Sequence, residues 1–249
     1  MRTIRVFMLP RLVRRADLGR TACAVVDLIR ATTTITAALA CGAKRVVPAA
    51  SVAEVRRLVK LFGCEDTVTA GERGGERIAG LDLGNSPLEH NRESVGGKTV
   101  LLTTTNGTRA LLAVRGAQRV LVGSLVNASA CAEALAQSGC DAAVVCAGTE
   151  GAVALDDTLA AGVIVKRLLA IVGPVELDDS ARLALAMADW AGDNLLGALR
   201  QSAASRKLEK IGLGADVDEV AKVDLYPIVP EAFAREKYIE IIPFYPAVE

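Results

Sequence analysis

Short runs of β-branched and apolar residues alternate along the chain with longer stretches whose apolar positions follow a helical period. The apolar runs predict strands at Arg2–Met8, Ala22–Val26, Arg45–Pro48, Thr67–Ala70, Thr99–Thr103, Arg119–Val122, Ala142–Cys146 and Glu240–Pro243. The Ala/Leu-rich stretches between them predict helices at Thr34–Cys41, Val52–Phe62, Thr108–Val114, Ala128–Ser138, Asp157–Leu169, Asp178–Ala191 and Asn194–Lys210. Strands that are apolar on both faces and separated by helices imply an α/β fold. The expected form is a three-layer α/β/α arrangement around a mostly parallel or mixed sheet. No Pro/Ser-rich linker or charge block divides the 249 residues, so one domain over 1–249 is expected, with a bilobal arrangement left open.

One pattern repeats. Ala24–Thr34 runs from a strand through Asp27-Leu28-Ile29-Arg30 into the triplet Thr32-Thr33-Thr34, then a helix and Gly42-Ala43. Val100–Arg109 runs from a strand through Thr103-Thr104-Thr105-Asn106-Gly107-Thr108-Arg109 into a helix and Gly116-Ala117. Glycine just past each helix is the expected C-terminal stop. Two hydroxyl-rich helix starts at the carboxyl ends of strands would lie at the ligand-binding edge of an open sheet.

Composition narrows the functional classes. Lys plus Arg and Asp plus Glu each total 29, so the net charge is zero and no footprint for nucleic acid or an anionic membrane exists. Hydrophobic residues are 51%, the mean hydropathy is +0.35 and aromatics are 3%, which excludes disorder and favours closely packed helices on a Val-rich sheet. No apolar run reaches spanning length and the N-terminus has no signal-like core, so a soluble, cytoplasmic protein is expected. Six cysteines without a CxxC pair, and the single His90, argue against a zinc site; the cysteines read as small buried hydrophobes.

Candidate chemistry gathers in four segments. In the first, Asp27 ends a strand where a catalytic or metal-binding carboxylate would stand, and Arg30 with Thr32, Thr33 and Thr34 would hold anionic oxygens; plain helix capping is the competing reading. The second, Thr104-Thr105-Asn106-Gly107-Thr108, is a tight turn lined with hydroxyls. In the third, five glycines across Gly71–Gly84 make a long irregular loop that carries Glu72, Arg73 and Asp82 and leads to Asn85 and Ser86. In the fourth, Gly148 and Glu150 follow a strand and Asp156-Asp157 opens a helix, either through the helix dipole or as oxygen ligands for Mg²⁺. Taken together, the residues suit a small polyanion with Mg²⁺.

These segments resemble the 2-phosphosulfolactate phosphatase family. The resemblance rests on Asp27-Leu28-Ile29-Arg30-Ala31-Thr32-Thr33-Thr34-Ile35, the Gly71-Glu72-Arg73-x-Gly75 loop, Leu81-Asp82-Leu83-Gly84-Asn85-Ser86-Pro87, Thr104–Thr108, and Cys146-Ala147-Gly148 with Asp156-Asp157. They occur in the family's order over roughly residues 22–165, and Val223-Asp224 and Val229-Pro230 resemble its C-terminal end. The resemblance implies an α/β/α fold, Mg²⁺-dependent hydrolysis of 2-phospho-3-sulfolactate to 3-sulfolactate and phosphate, and a place in coenzyme M synthesis. The family usually shows Phe at Leu81, Glu at Asp156 and Ser-x-His-Gly where Ser202-Ala203-Ala204-Ser205 stands here.

The expected assignment is therefore as follows. Asp27, Arg30, Glu72 and Asp82 carry the chemistry. Mg²⁺ lies on some of Asp27, Glu72, Asp82, Glu150 and Asp157. Thr32, Thr33, Thr34, Arg73, Asn85, Ser86, Thr104, Thr105, Asn106, Gly107, Thr108 and Gly148 bind substrate. Water polarised by the metal is the preferred nucleophile, with Asp27 as a covalent phospho-acceptor the alternative. Another phosphorylated hydroxy acid as substrate, a non-catalytic anion-binding role and homo-oligomerisation stay open.

Overall fold

Strand β2 (Thr21–Val26) explains the layering in the computed structural model, which describes residues 1–246. All six of its residues are buried, and they alternate between two cores. Ala22, Ala24 and Val26 pack on one face with Leu135, Leu159 and Ile164, whereas Cys23 and Val25 pack on the other with Ile35, Leu39 and Leu111. A strand with no polar face needs helices on both sides, and that requirement produces three layers.

Around β2 lie β1 (Thr3–Phe7), β3 (Arg45–Pro48), β4 (Thr67–Arg73), β5 (Glu76–Arg77) and β6 (Thr99–Thr103). The later strands are β7 (Arg119–Gly123), β8 (Asp141–Cys146), β9 (Glu176–Leu177), β10 (Val229–Ala234) and β11 (Ile239–Phe244). Their order across the sheet is β5-β4-β6-β3-β11-β10-β7-β2-β8-β1-β9. The sheet is mixed. Two parallel blocks, β4-β6-β3 and β7-β2-β8-β1-β9, are joined by the antiparallel hairpin β10–β11.

The helices are α1 (Ala31–Ala40), α2 (Val52–Phe62), α3 (Arg92–Val95), α4 (Gly107–Ala113) and α5 (Ala128–Gln137). They continue with α6 (Leu155–Val172), α7 (Asp179–Ala191), α8 (Leu195–Leu199), α9 (Ala203–Lys210) and α10 (Gly214–Val220). The repeated sequence pattern becomes two crossovers in opposite directions. One, β2–α1–β3, leaves the larger parallel block for the smaller; the other, β6–α4–β7, returns.

All eight expected strands are present, together with β5, β9 and β10, which the pattern did not show. The first two are two residues long, and β10 contains Pro230 and Glu231, so none presents a continuous apolar run. The helix expected over Asn194–Lys210 is two helices, α8 and α9. Ser202 breaks it by accepting the Ser205 N–H at 3.0 Å as the cap of α9. Helix α1 begins at Ala31, so the Thr triplet lies inside its first turns rather than ahead of them. Asp178 caps α7 through the Ala181 N–H, in agreement with its capping reading.

Cys23, Cys131 and Cys146 are buried, and burial raises the thiols of Cys23 and Cys131 to about 12, which makes them inert packing groups. Cys64 is exposed and departs from the expected pattern. Among the described residues no helix is long and apolar enough to cross a membrane.

Candidate active site

The carboxyl ends of β2, β4, β6 and β8 open into one cavity of about 120 Å³. Asp27, Ile29 and Arg30 follow β2; Glu72, Gly74 and Gly75 end β4 and its turn; Thr104, Thr105 and Asn106 follow β6; Thr149 and Glu150 follow β8. Asn85 and the α9 residues Ala204, Lys207 and Leu208 complete the wall. Strand ends around a crevice are where an open α/β sheet places its ligand.

Asp27 is 7% exposed, and its Oδ1 accepts a long bond of 3.4 Å from the Ala31 N–H. Burial raises its pKa from 3.8 to about 7, reinforced by the charges of Asp156 and Glu72 and opposed by the Ala31 bond and Arg30. Glu72 is engaged differently. Its Oε1 accepts from the Thr105 N–H at 3.0 Å and the Thr105 hydroxyl at 2.8 Å, and its Oε2 accepts from the Gly75 N–H at 2.9 Å. Glu72 thereby ties the glycine loop to the turn after β6. Gly75 sits at φ +99°, and a Cβ there would stand 3.0 Å from Ile211 Cδ1 and 3.6 Å from Leu208 Cδ2, so only glycine lets α9 pack onto this loop.

The adjacent acidic pair divides its labour. Asp157 spans two loops, accepting from the Leu28 N–H and the Gly148 N–H, both at 2.8 Å. Burial and the charges of Asp156 and Asp27 hold its carboxyl well above the usual range. Asp156 is raised to about 6 by burial, with the Ile29 N–H and the Ser202 hydroxyl opposing. Asp157 is thus a joint between the β2 and β8 loops and, unlike Glu72, does not line the cavity.

The Thr triplet is joinery as well. The Thr32 hydroxyl donates to Asp27 O at 2.9 Å, Thr33 to Leu28 O at 2.9 Å, and Thr34 to Asn85 O at 2.8 Å. Thr33 also meets the Ser124 hydroxyl at 2.7 Å. All three are at most 1% exposed and none lines the cavity. Backbone atoms carry these bonds because β-branched threonine, packed against a helix start, readily returns its hydroxyl to a nearby carbonyl.

Other expectations move too. Asp82 lies outside the cavity, exposed, with its carboxylate on the Thr69 N–H at 2.8 Å and hydroxyl at 2.7 Å. Arg73 turns away, donating to Glu72 O at 2.6 Å and the Thr103 hydroxyl at 3.2 Å. Neither was separable from its neighbours by sequence, because the β4–β5 turn decides which way the loop faces. Ser86, Gly148 and Thr108 are buried behind the wall; Ser86 donates to Asp216 at 2.6 Å. Gly107 sits where the two helix starts meet. A Cβ there would stand 2.9 Å from Ala31 Cβ and 3.2 Å from Asp27 Oδ2.

Arg30 lines the cavity but is only 3% exposed, paired with Asp216 and donating to Gly75 O. Asp216 comes from α10, far along the chain, and carried no sequence signal; neither did Lys207 or Thr149. Ser202, in the segment that departs from Ser-x-His-Gly, supports Asp156, and Ala204 of the same segment faces the cavity. His90 is a core residue: burial lowers it, and its Nδ1–H donates to Ser86 O at 2.9 Å.

The oxygen donors present are hard ones. Asn85 Oδ1, on the cavity wall, is buried without a hydrogen-bond partner, and it accompanies Asp27 and Glu72. No three His, Cys, Asp or Glu side chains among the described residues form a ready-made metal cage. Mg²⁺ does not require one, since it commonly takes one or two carboxylates and completes its shell with water and phosphate. The donor set therefore fits Mg²⁺.

The comparisons with known proteins agree with one another. A family model described as 2-phosphosulpholactate phosphatase matches residues 7–234. A Deinococcus radiodurans protein described as a probable 2-phosphosulfolactate phosphatase is 44% identical over 211 residues, 83% of this chain and 85% of its own. One of the same description from Caldanaerobacter subterraneus is 41% identical over 215 residues, covering 86% and 89%. A third, from Clostridium beijerinckii, is 37% identical over 207 residues, covering 83% and 87%. With nine of the eleven described strands inside that match, the chain belongs to the 2-phosphosulpholactate phosphatase family.

Proposed function

We infer that the protein is a phosphoric monoester hydrolase that converts 2-phospho-3-sulfolactate and water to 3-sulfolactate and phosphate. Family membership supports the reaction class. The observation that carries it onto this chain is Asp27, a carboxylate raised to about 7 at a strand end, facing the turn Thr104-Thr105-Asn106 across a small cavity.

Each group then has work it can do. The Thr104 hydroxyl and the Asn106 amide of the turn after β6 donate to the phosphoryl oxygens, and Glu72, which accepts from the N–H and hydroxyl of Thr105, holds that turn in position. Asp27 gains and loses a proton near neutral pH. It is thus suited to take the proton of the attacking water and return it to the departing sulfolactate oxygen. Arg30, fixed by Asp216, contributes positive charge from behind the wall. Glu72 and Glu150 at the rim, with Asn85 as a neutral oxygen, would hold Mg²⁺ beside Asp27. When bound, it would supply further positive charge against the transferring oxygens. Membership of coenzyme M synthesis rests on the resemblance and, with a cytoplasmic setting, completes the same reading.

Phosphate release from 2-phospho-3-sulfolactate tests this, measured with Mg²⁺, after chelation and after Mg²⁺ is restored. Turnover that disappears with chelator and returns with Mg²⁺ is expected. Full turnover in excess EDTA would remove the metal assignment. Turnover of 2-phospholactate or phosphoglycerate in preference would redirect the substrate.

A further inference from the structure

The cavity wall carries two cations, Arg30 and Lys207, against the carboxylates of Asp27, Glu72 and Glu150. Arg30 is already matched by Asp216, with which it is buried. Arg73, the other cation of the glycine loop, is turned onto Glu72 O and the Thr103 hydroxyl. Lys207 is different. It lies on α9, is exposed, and makes no ion pair or side-chain hydrogen bond among the described residues. Its backbone is nevertheless well placed: Leu208 beside it is buried against the Gly75 loop, and Ser202 caps the helix. The result is an exposed, unpaired cation on a fixed base.

A substrate bearing phosphate, carboxylate and sulfonate needs more cation than a matched Arg30 provides. The strand ends and the turn after β6 account for the phosphoryl group. Lys207 reaches the cavity from a different element. The sulfonate is one bond further from the phosphate-bearing carbon than the carboxylate is. Its three equivalent oxygens suit the unfixed point charge of an ammonium rather than the planar fork of a guanidinium.

Building on the phosphatase reading above, we propose that Lys207 is the residue that recognises the sulfonate of the substrate and so sets the preference for sulfonated over plain phospho-hydroxy acids.

The test compares wild type, Lys207→Met and Lys207→Arg on 2-phospho-3-sulfolactate and on 2-phospholactate, which lacks the sulfonate. A hydrogen bond to a charged group predicts that Lys207→Met lowers the ratio of the two kcat/KM values roughly 10- to 100-fold. The loss should fall on KM, and Lys207→Arg, which keeps the charge but not the ammonium geometry, should recover only part of it. An unchanged ratio, or an equal loss of kcat on both substrates, overturns the assignment. Calorimetric binding of 3-sulfolactate separates this proposal from the reaction itself. If wild type hydrolyses neither ester, the phosphatase reading fails, whereas the Lys207 assignment is then overturned if wild type and Lys207→Met bind 3-sulfolactate equally.

Discussion

The two hydroxyl-rich helix starts look alike in sequence and differ in use. At the start of α1 every hydroxyl of Thr32, Thr33 and Thr34 is buried and returned to a carbonyl of its own surroundings. In the turn before α4, Thr104 and Thr105 line the cavity, and Thr105 is exposed. The first start contributes its one acidic residue, Asp27, and spends its threonines on holding that residue still. The second presents Thr104 and Asn106 to the ligand side and commits the donors of Thr105 to Glu72 to stay in shape. The difference follows from burial. Around α1, Ser124 and Asn85 approach closely enough to pair with the threonines, whereas the turn after β6 opens to solvent.

The largest test of this division is Asp27→Asn, which keeps the side chain's shape and removes its charge. kcat should fall at least about 100-fold, with the fold intact by circular dichroism. Full activity combined with a lower Tm would instead make Asp27 a cap like its neighbours.

The threonines sharpen the contrast when changed one at a time. Thr33→Val strands Leu28 O and the Ser124 hydroxyl in the core, so denaturant unfolding should show a loss of about 1–3 kcal/mol, with KM within twofold of wild type. Thr104→Val should do the reverse, lowering kcat/KM roughly tenfold while Tm barely moves. Matching stability losses at both positions, with activity unaltered, would erase the distinction.

The same burial gives stability a pH dependence in metal-free protein. Asp27 moves from 3.8 to about 7 and Asp156 from 3.8 to about 6 on folding, so the folded chain binds protons that the unfolded chain has released. Their contribution is complete below about pH 4 and is lost as pH rises toward 7. Asp27→Asn removes part of that loss, so its stability relative to wild type should increase between pH 4.5 and 7.5 in chelator. A constant difference across that range would mean that Asp27 is not proton-coupled to folding.

Periodicity alone located eight strands and the strand–turn–helix units that carry Asp27 and Thr104–Asn106, because buried strands and helix faces must be apolar at regular intervals. Glu72, Asn85 and Glu150 were also legible, as polar residues in loops that follow strands, and all line the cavity. What sequence could not separate was Asp82 from Glu72, or Asp157 from Asp27. Each pair has the same chemistry in the same kind of loop, and which member faces the ligand depends on backbone direction and on partners such as Thr69, Leu28 and Gly148.

By itself, then, the amino-acid order determined the layered α/β class, the edge of the sheet that holds the site and the acidic, hydroxyl-rich character of that edge, because local period and residue chemistry are sufficient for each. Tertiary structure decided which groups remain available. It matched Arg30 with Asp216 across 186 positions of sequence and brought Lys207 into the cavity beside the turn of β4. It also enclosed the Thr triplet. Those outcomes depend on contacts between residues remote in the chain, where burial consumes some polar groups and exposure frees others, and no local pattern encodes them.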